Sequence, residues 1–160
     1  MMLRTIFLLA ALGAASFAGV AQAPASPATA PDPNAFAMPP APAGTVPWTV
    51  LQQAKTVQKA DKKFGPEFTR DIKALDRKDV KLFGFMMPLD QARKQKRFLL
   101  AAYPPHCAFC LPSGPESLVE VVADTPVEFT MEPIVVAGRL AVLENDVVYY
   151  RLTNASAVQP

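Results

Sequence analysis

The sequence predicts a mainly β protein: a small five-stranded OB-like barrel with an N-terminal helical lead-in. Three observations point there. Five apolar runs of strand character follow one another between Val80 and Leu152. The two longest each carry a central glycine, which inside a strand marks a bulge or a sharp bend. Strands bent in this way favour closure over a flat sheet, because a barrel needs strongly coiled strands and removes exposed edges. The five-stranded OB-type barrel fits this pattern best, and a small open sandwich is the alternative.

The elements follow in order. Thr49 and Gln52 have capping-box spacing, which predicts a helix from about Val50 to Lys63 with Leu51, Ala54 and Val57 as its apolar stripe and Gly65-Pro66 as its stop. Phe68, Ile72 and Leu75 recur at helical spacing and predict a second short helix. Asp76 to Asp79 reads as a charged turn. Strands are then expected over 80–89, 97–103, 118–123, 134–143 and 147–152, with Gly84 and Gly138 inside the first and fourth. Glu144-Asn145-Asp146 supplies a tight turn between the last two. Phe83, Phe85, Met86 and Met87 read as core packing.

Residues 1–23, MMLRTIFLLAALGAASFAGVAQA, place Arg4 before an apolar run from Ile6 to Leu12 and then small residues, the pattern of a secretory signal peptide. Ala21-Gln22-Ala23 fits a small-x-small cleavage site, although Pro24 follows it. Residues 24–47 hold eight prolines and seven alanines with Asp32 as the only charge. Proline lacks the backbone donor and fixes φ, so an extended linker is expected there. The OB-like domain is then expected over 48–155, with a tail over 156–160. The protein is expected to be exported, in the periplasm or cell envelope, touching a membrane only through an uncleaved signal segment.

Composition narrows the function. The chain of 160 residues is 51% hydrophobic and 19% charged, enough for a packed core, and its net charge of +2 gives no bulk polycation for wrapping nucleic acid. Charge is unevenly placed: residues 48–102 carry a net +7 and residues 103–160 a net −5. The Arg93–Arg97 cluster reads as a solvated hairpin loop, and no nucleic-acid partner is expected. Ser113-Gly114 has no nucleophile-elbow setting, and Glu116 and Glu120 read as a solvated face. Hydrolase chemistry is not expected.

One constellation carries chemistry. Tyr103-Pro-Pro-His-Cys-Ala-Phe-Cys-Leu-Pro-Ser-Gly-Pro115 holds the single histidine and both cysteines. Cys107 and Cys110 have C-x-x-C spacing, and His106 adjoins the first. Thiolates and an imidazole suit zinc or Cu(I), with a fourth position left for water, a carboxylate, Met86 or Met87, or a partner. Two other readings stand beside this one. The pair could cycle between dithiol and disulfide, with His106 lowering a thiol pKa. It could instead form a static disulfide, the default for a cysteine pair in an oxidising compartment.

The run Val80-Lys-Leu-Phe-Gly-Phe-Met-Met-Pro-Leu89, Phe98-Leu-Leu100, the Cys-bearing proline-rich loop and Val135-Val-Ala-Gly-Arg-Leu140 together resemble a family of small exported bacterial proteins classed as a domain of unknown function. The resemblance covers about residues 48–155. It implies an OB-like barrel and a soluble or tethered envelope protein, and some members are thought to accompany ABC-type transport or metal handling. The family's loop carries a Cys followed two residues later by His and then a proline run. Here His106 precedes Cys107, and Cys110 stands in place of a later His.

Overall fold

The computed structural model of the chain describes residues 40–105 and 114–159. The expected signal peptide, residues 24–39 of the expected linker, and His106, Cys107 and Cys110 lie outside them. In chain order the described elements are α1 (Trp48–Leu51), β1 (Lys55–Gln58), β2 (Phe64–Glu67), α2 (Arg70–Ala74), β3 (Asp79–Pro88), β4 (Lys94–Ala101), a 3-10 turn (Pro115–Ser117), β5 (Leu118–Glu128), β6 (Ile134–Val142) and β7 (Tyr150–Val158).

Strands β3 to β7 close a barrel in the order β3-β4-β5-β7-β6, with β6 returning to β3. Only β5 and β7 run parallel; every other pair is antiparallel. This is the expected five-stranded OB-like barrel. Alternation sends Leu82, Met86, Phe98, Leu100, Val119, Val121, Val136, Leu140 and Leu152 inward, all buried in one core. On the outer surface Met87, Ala101 and Leu118 form a second buried cluster with Leu99. The core-packing expectation for Phe83, Phe85, Met86 and Met87 holds, since all four are buried.

Both central glycines sit where the barrel bends. The first half of β3, Asp79–Gly84, pairs with β6, and the second half, Phe85–Pro88, pairs with β4. Gly84 lies at this handover, and a Cβ there would meet the Ala101 carbonyl oxygen at 2.5 Å. Gly138 faces a bulge in β7, where Asn154 takes the left-handed conformation (φ 50°). A Cβ at Gly138 would lie 2.8 Å from the Thr153 carbonyl oxygen.

Because β3 changes partners midway, its first half has one edge without a strand neighbour. The lead-in covers that edge. The Val46 N–H donates to the Lys81 carbonyl at 2.8 Å, and the Trp48 indole N–H donates to the Phe83 carbonyl at 2.7 Å. Pairing an open edge in this way satisfies its acceptors and blunts it against other chains. Residues 40–47, the end of the expected linker, therefore run onto the barrel.

The helix expected from Val50 to Lys63 does not form. The helix stops at Leu51, and Lys55–Gln58 pairs antiparallel with Phe64–Glu67. Of the expected stripe, Leu51 and Ala54 are buried but Val57 is only half-buried, so a longer helix would gain little. Thr56 and Val57 are β-branched, which suits a strand. Lys62 turns the hairpin at φ 66°, a left-handed conformation foreign to a helix. Gly65-Pro66 lies inside β2 instead of ending a helix. The capping box is absent too: Pro47 precedes α1 and offers no side-chain cap.

The second helical expectation holds. Thr69 caps α2, its hydroxyl accepting the Ile72 N–H, while Phe68 and Ile72 are buried. Leu51 and Ile72 are fully buried and close one end of the barrel. Several strand limits also shift. β4 begins at Lys94, so most of the expected Arg93–Arg97 loop is strand, and Gln95 within it is buried. β7 begins at Tyr150 and runs to Val158, which pairs with Val135, three residues past the expected end of the domain at 155.

Candidate functional site

The end of the barrel plugged by α1 and α2 also carries the described ends of the connection from β4 to β5, whose residues 106–113, with the Cys/His motif, lie outside the described residues. The described parts of that connection form a closed base. The Ala102 N–H donates to the Ser117 carbonyl at 3.0 Å, and the Ser117 N–H donates to the Gly114 carbonyl at 3.0 Å. The register behind them is fixed by Ala101 opposite Leu118. Gln52, the first residue after α1, joins both sides of the base. Its Nε2 donates to the Tyr103 hydroxyl at 3.1 Å and to the Ser117 Oγ at 3.0 Å. At Gly114 a Cβ would meet the Glu116 carboxylate at 2.5 Å, so that carboxylate folds back over the returning strand of the base.

Beside this base lies an open groove of about 960 Å³. One wall is the β1–β2 hairpin with Phe64 and Pro66, the other is the turn after β6 with Glu144 and Val147, and Pro115 joins it to the loop base. Tyr149 lines its floor and shares a hydrogen bond with the Thr56 hydroxyl. Phe64 is 72% exposed and Val147 92% exposed.

The turn bearing Val147 is tied to the barrel wall through charge. Asp146 accepts the Val147 N–H at 2.7 Å and the Arg151 guanidinium at 2.9 Å, and these two donors, in that order, hold its carboxyl below the ordinary carboxylate range. Arg151 also donates to Glu120 at 2.5 Å, and Arg97 grips the other Glu120 oxygen. The Glu120 hydrogen bond is the main cause of an upward shift at Arg151. Glu120 was expected on a solvated face; its side chain is 4% exposed, packed under two arginines. The signal for it was present in Leu118-Val-Glu-Val-Val-Ala123, where one carboxylate interrupts an apolar strand.

Gln52 was read as a capping residue, and its observed role as a tie across 51 and 65 positions has no local signature. Met86 is buried in the barrel core and Met87 in the outer cluster, so neither stands free as a ligand. Among the described residues, no three His, Cys, Asp or Glu side chains converge to hold a metal ion, and no helix is long and apolar enough to cross a membrane.

The architecture defines a class: a closed OB-type barrel, plugged at one end by short helices. Residues 36–156 match the family model described as a protein of unknown function, DUF3299, and the chain belongs to that family. Among solved structures it is similar to a DUF3299 family protein from Pseudomonas aeruginosa PAO1, at 23% identity and a TM-score of 0.48, over 59% of this chain and 68% of that one. No curated protein matches the sequence.

Proposed function

We propose that the protein is an exported envelope accessory module that grips a soft metal ion, zinc or Cu(I), through His106, Cys107 and Cys110. The observation that carries this reading is the closed base of the loop. Tyr103 and Ser117 are held by one amide, and Ala102 and Ser117 by a backbone hydrogen bond, so a segment with three soft donors leaves and re-enters the barrel at one fixed place. Fixing the ends of a loop removes part of the entropy that closing it around an ion would otherwise cost. Two thiolates and one imidazole match zinc and Cu(I), and a three-ligand set leaves one position for exchange with a partner. The signal-like N-terminus supports export, and the family resemblance supports a partner in an ABC-type transport system of the envelope.

The test is titration of reduced protein with zinc and with Cu(I), beside the Cys107→Ser, Cys110→Ser double variant. Tight one-to-one binding that the double variant loses supports the proposal. Equal binding by both proteins overturns it. Intact mass under native conditions, with and without reductant, then identifies the rival. A species two hydrogens lighter, insensitive to added metal, points to a structural disulfide. A pair that exchanges rapidly with a thiol buffer points to thiol–disulfide chemistry.

A further inference from the structure

We propose that the groove between the β1–β2 hairpin and the turn after β6 is the interface of a two-fold dimer, its occupant a second copy of this chain; this goes beyond the metal reading and does not depend on it. The two walls of the groove differ in a particular way. The hairpin wall carries Lys59 and Lys63 beside Phe64, and the turn wall carries Glu144 and Asp146 beside Val147. Residues 59–64 hold three lysines and one aspartate, whereas residues 144–147 hold two acids and no base. Each wall thus offers one exposed apolar side chain and a charge excess of one sign, and the signs are opposite.

A surface of this kind complements itself. A two-fold axis turns one copy so that its hairpin wall meets the other copy's turn wall, and the same contact is made twice. Phe64 then enters the facing groove over Tyr149, and Lys63 meets the facing Glu144. Within one copy these charges are little used. Among the described residues neither Lys62 nor Glu144 makes an ion pair. Lys63 reaches only Asp61, at 3.8 Å, with the two side chains 83% and 58% exposed. A pair so open to water is worth little and exchanges readily for a better one.

The hairpin is also the part of the molecule that gains most from a neighbour. β1 and β2 form their own two-stranded sheet, separate from the barrel's ladder, and such a ribbon is marginal by itself. Its tip is nonetheless held in one shape. The Lys59 N–H donates to the Lys63 carbonyl at 2.7 Å, the Lys62 N–H to the Lys59 carbonyl at 2.9 Å, and the Lys63 N–H to the Asp61 carboxylate at 3.1 Å. The chain bearing the lysines and Phe64 is therefore ordered before a second copy arrives, which lowers the cost of association. Because a contact of this symmetry closes on itself, assembly stops at two copies.

The experiment is charge reversal with rescue, on the full chain in reductant and chelator, read by analytical ultracentrifugation. Wild-type protein should sediment as a dimer at micromolar concentrations. Lys63→Glu and Glu144→Lys should each weaken dimerisation about tenfold or more, because symmetry duplicates the like-charge contact. Mixed in equal amounts, the two variants should pair with each other at near wild-type strength, since every contact then joins opposite charges. Phe64→Ser should weaken the dimer roughly a hundredfold, the loss of two buried rings. A wild-type chain still monomeric at about 100 μM overturns the proposal, as does a dimer indifferent to all three variants. Failure of the mixture to recover, with both variants folded by circular dichroism, also overturns it. A monomeric chain that binds phosphatidylglycerol vesicles through Phe64 overturns it in favour of a lipid surface. Should Phe64→Ser not fold, the charge-reversal mixture decides alone.

Discussion

The hydroxyl of Tyr150 donates to the carbonyl oxygen of Leu51 across 2.7 Å of buried space, joining the first residue of the last strand to the last residue of the first helix. Neither group has access to water: both residues are fully buried. The bond fastens the plug to the barrel, and Phe68 packs against the Tyr150 ring with centroids 5.8 Å apart. A helix of one turn cannot persist by its own propensity. α1 exists because Leu51 fills the barrel end, and its carbonyl oxygen is shared by the Tyr150 hydroxyl and the Ala54 N–H.

Replacing Tyr150 by Phe should therefore cost about 1 kcal/mol, the net worth of one hydrogen bond, since the Leu51 carbonyl keeps the Ala54 N–H as a donor. Urea unfolding followed by tryptophan fluorescence measures this directly, because Trp48 lies in the same plug. The same pair gives a pH dependence. Burial is the main cause pushing the Tyr150 hydroxyl pKa above its ordinary 10.0, with Glu116 the next. The folded state then keeps this proton where the unfolded chain has begun to lose it. The contribution is whole below pH 10 and declines as the pH rises beyond it. The wild-type curve should fall more steeply than that of Tyr150→Phe over this alkaline range.

At Gly84 the expected outcome is severe. A Cβ would stand 2.5 Å from the Ala101 carbonyl oxygen and 3.2 Å from both Leu100 and Trp48. Backbone on a paired neighbouring strand cannot give way as a flexible side chain can. Gly84→Ala should destabilise by roughly 2–4 kcal/mol through overpacking. By contrast, Gly44→Ala meets no atom within 4 Å, so its cost should come only from the left-handed φ of 81°. Chemical denaturation of the two variants side by side checks the contrast.

The barrel was legible because its strands announce themselves: β-branched and aromatic runs, two interrupted by glycine, separated by polar turns. Those glycines were the strongest clue to closure, and each proves to sit where a strand is crowded by its neighbour's backbone. The lead-in was not legible, because Leu51, Ala54 and Val57 satisfy helical spacing whether or not a helix follows. What decided the matter was tertiary. Leu51 has a place in the barrel end, and Thr56 finds Tyr149 across 93 positions. Of the candidate site, the sequence offers His106, Cys107 and Cys110 as donors but gives no sign of the base formed by Tyr103, Ser117 and Gln52. Gln52 and Glu120 are polar residues whose work is done entirely through distant partners.

Glu120 should behave as the linchpin of the outer charge network. Its carboxylate is shared by Arg97 on β4 and Arg151 on β7, so it ties the parallel β5–β7 junction to its neighbour. Glu120→Ala removes the shared acceptor and should cost about 2–3 kcal/mol, below the usual cost of breaking a fully buried pair because Arg97 remains 64% exposed. Arg97→Ala should cost about 1 kcal/mol or less, as expected for a solvent-screened partner. Arg151→Ala should exceed it, since Arg151 also holds Asp146. Thermal melting of the three variants gives the order, and added salt should narrow the Arg97 effect more than the Glu120 effect.

The edge of β3 supplies the last prediction. Lys81 and Phe83 present carbonyls on the side that no strand covers, and Val46 and Trp48 are their donors. Trp48→Phe keeps a ring over Gly84 but removes the indole N–H from Phe83. The direct loss should be about 1 kcal/mol, the net worth of one hydrogen bond. The larger consequence should be local. With one of two ties gone, the lead-in releases the edge more often, and the Val46 amide should exchange with deuterium roughly five times faster, the factor corresponding to that energy. An exposed strand edge is a template for another chain, so the variant should also self-associate at concentrations where the parent remains dispersed. Hydrogen exchange and light scattering on the same samples separate the two effects, and faster exchange at Val46 with unchanged exchange in β4 would locate the opening at the seam.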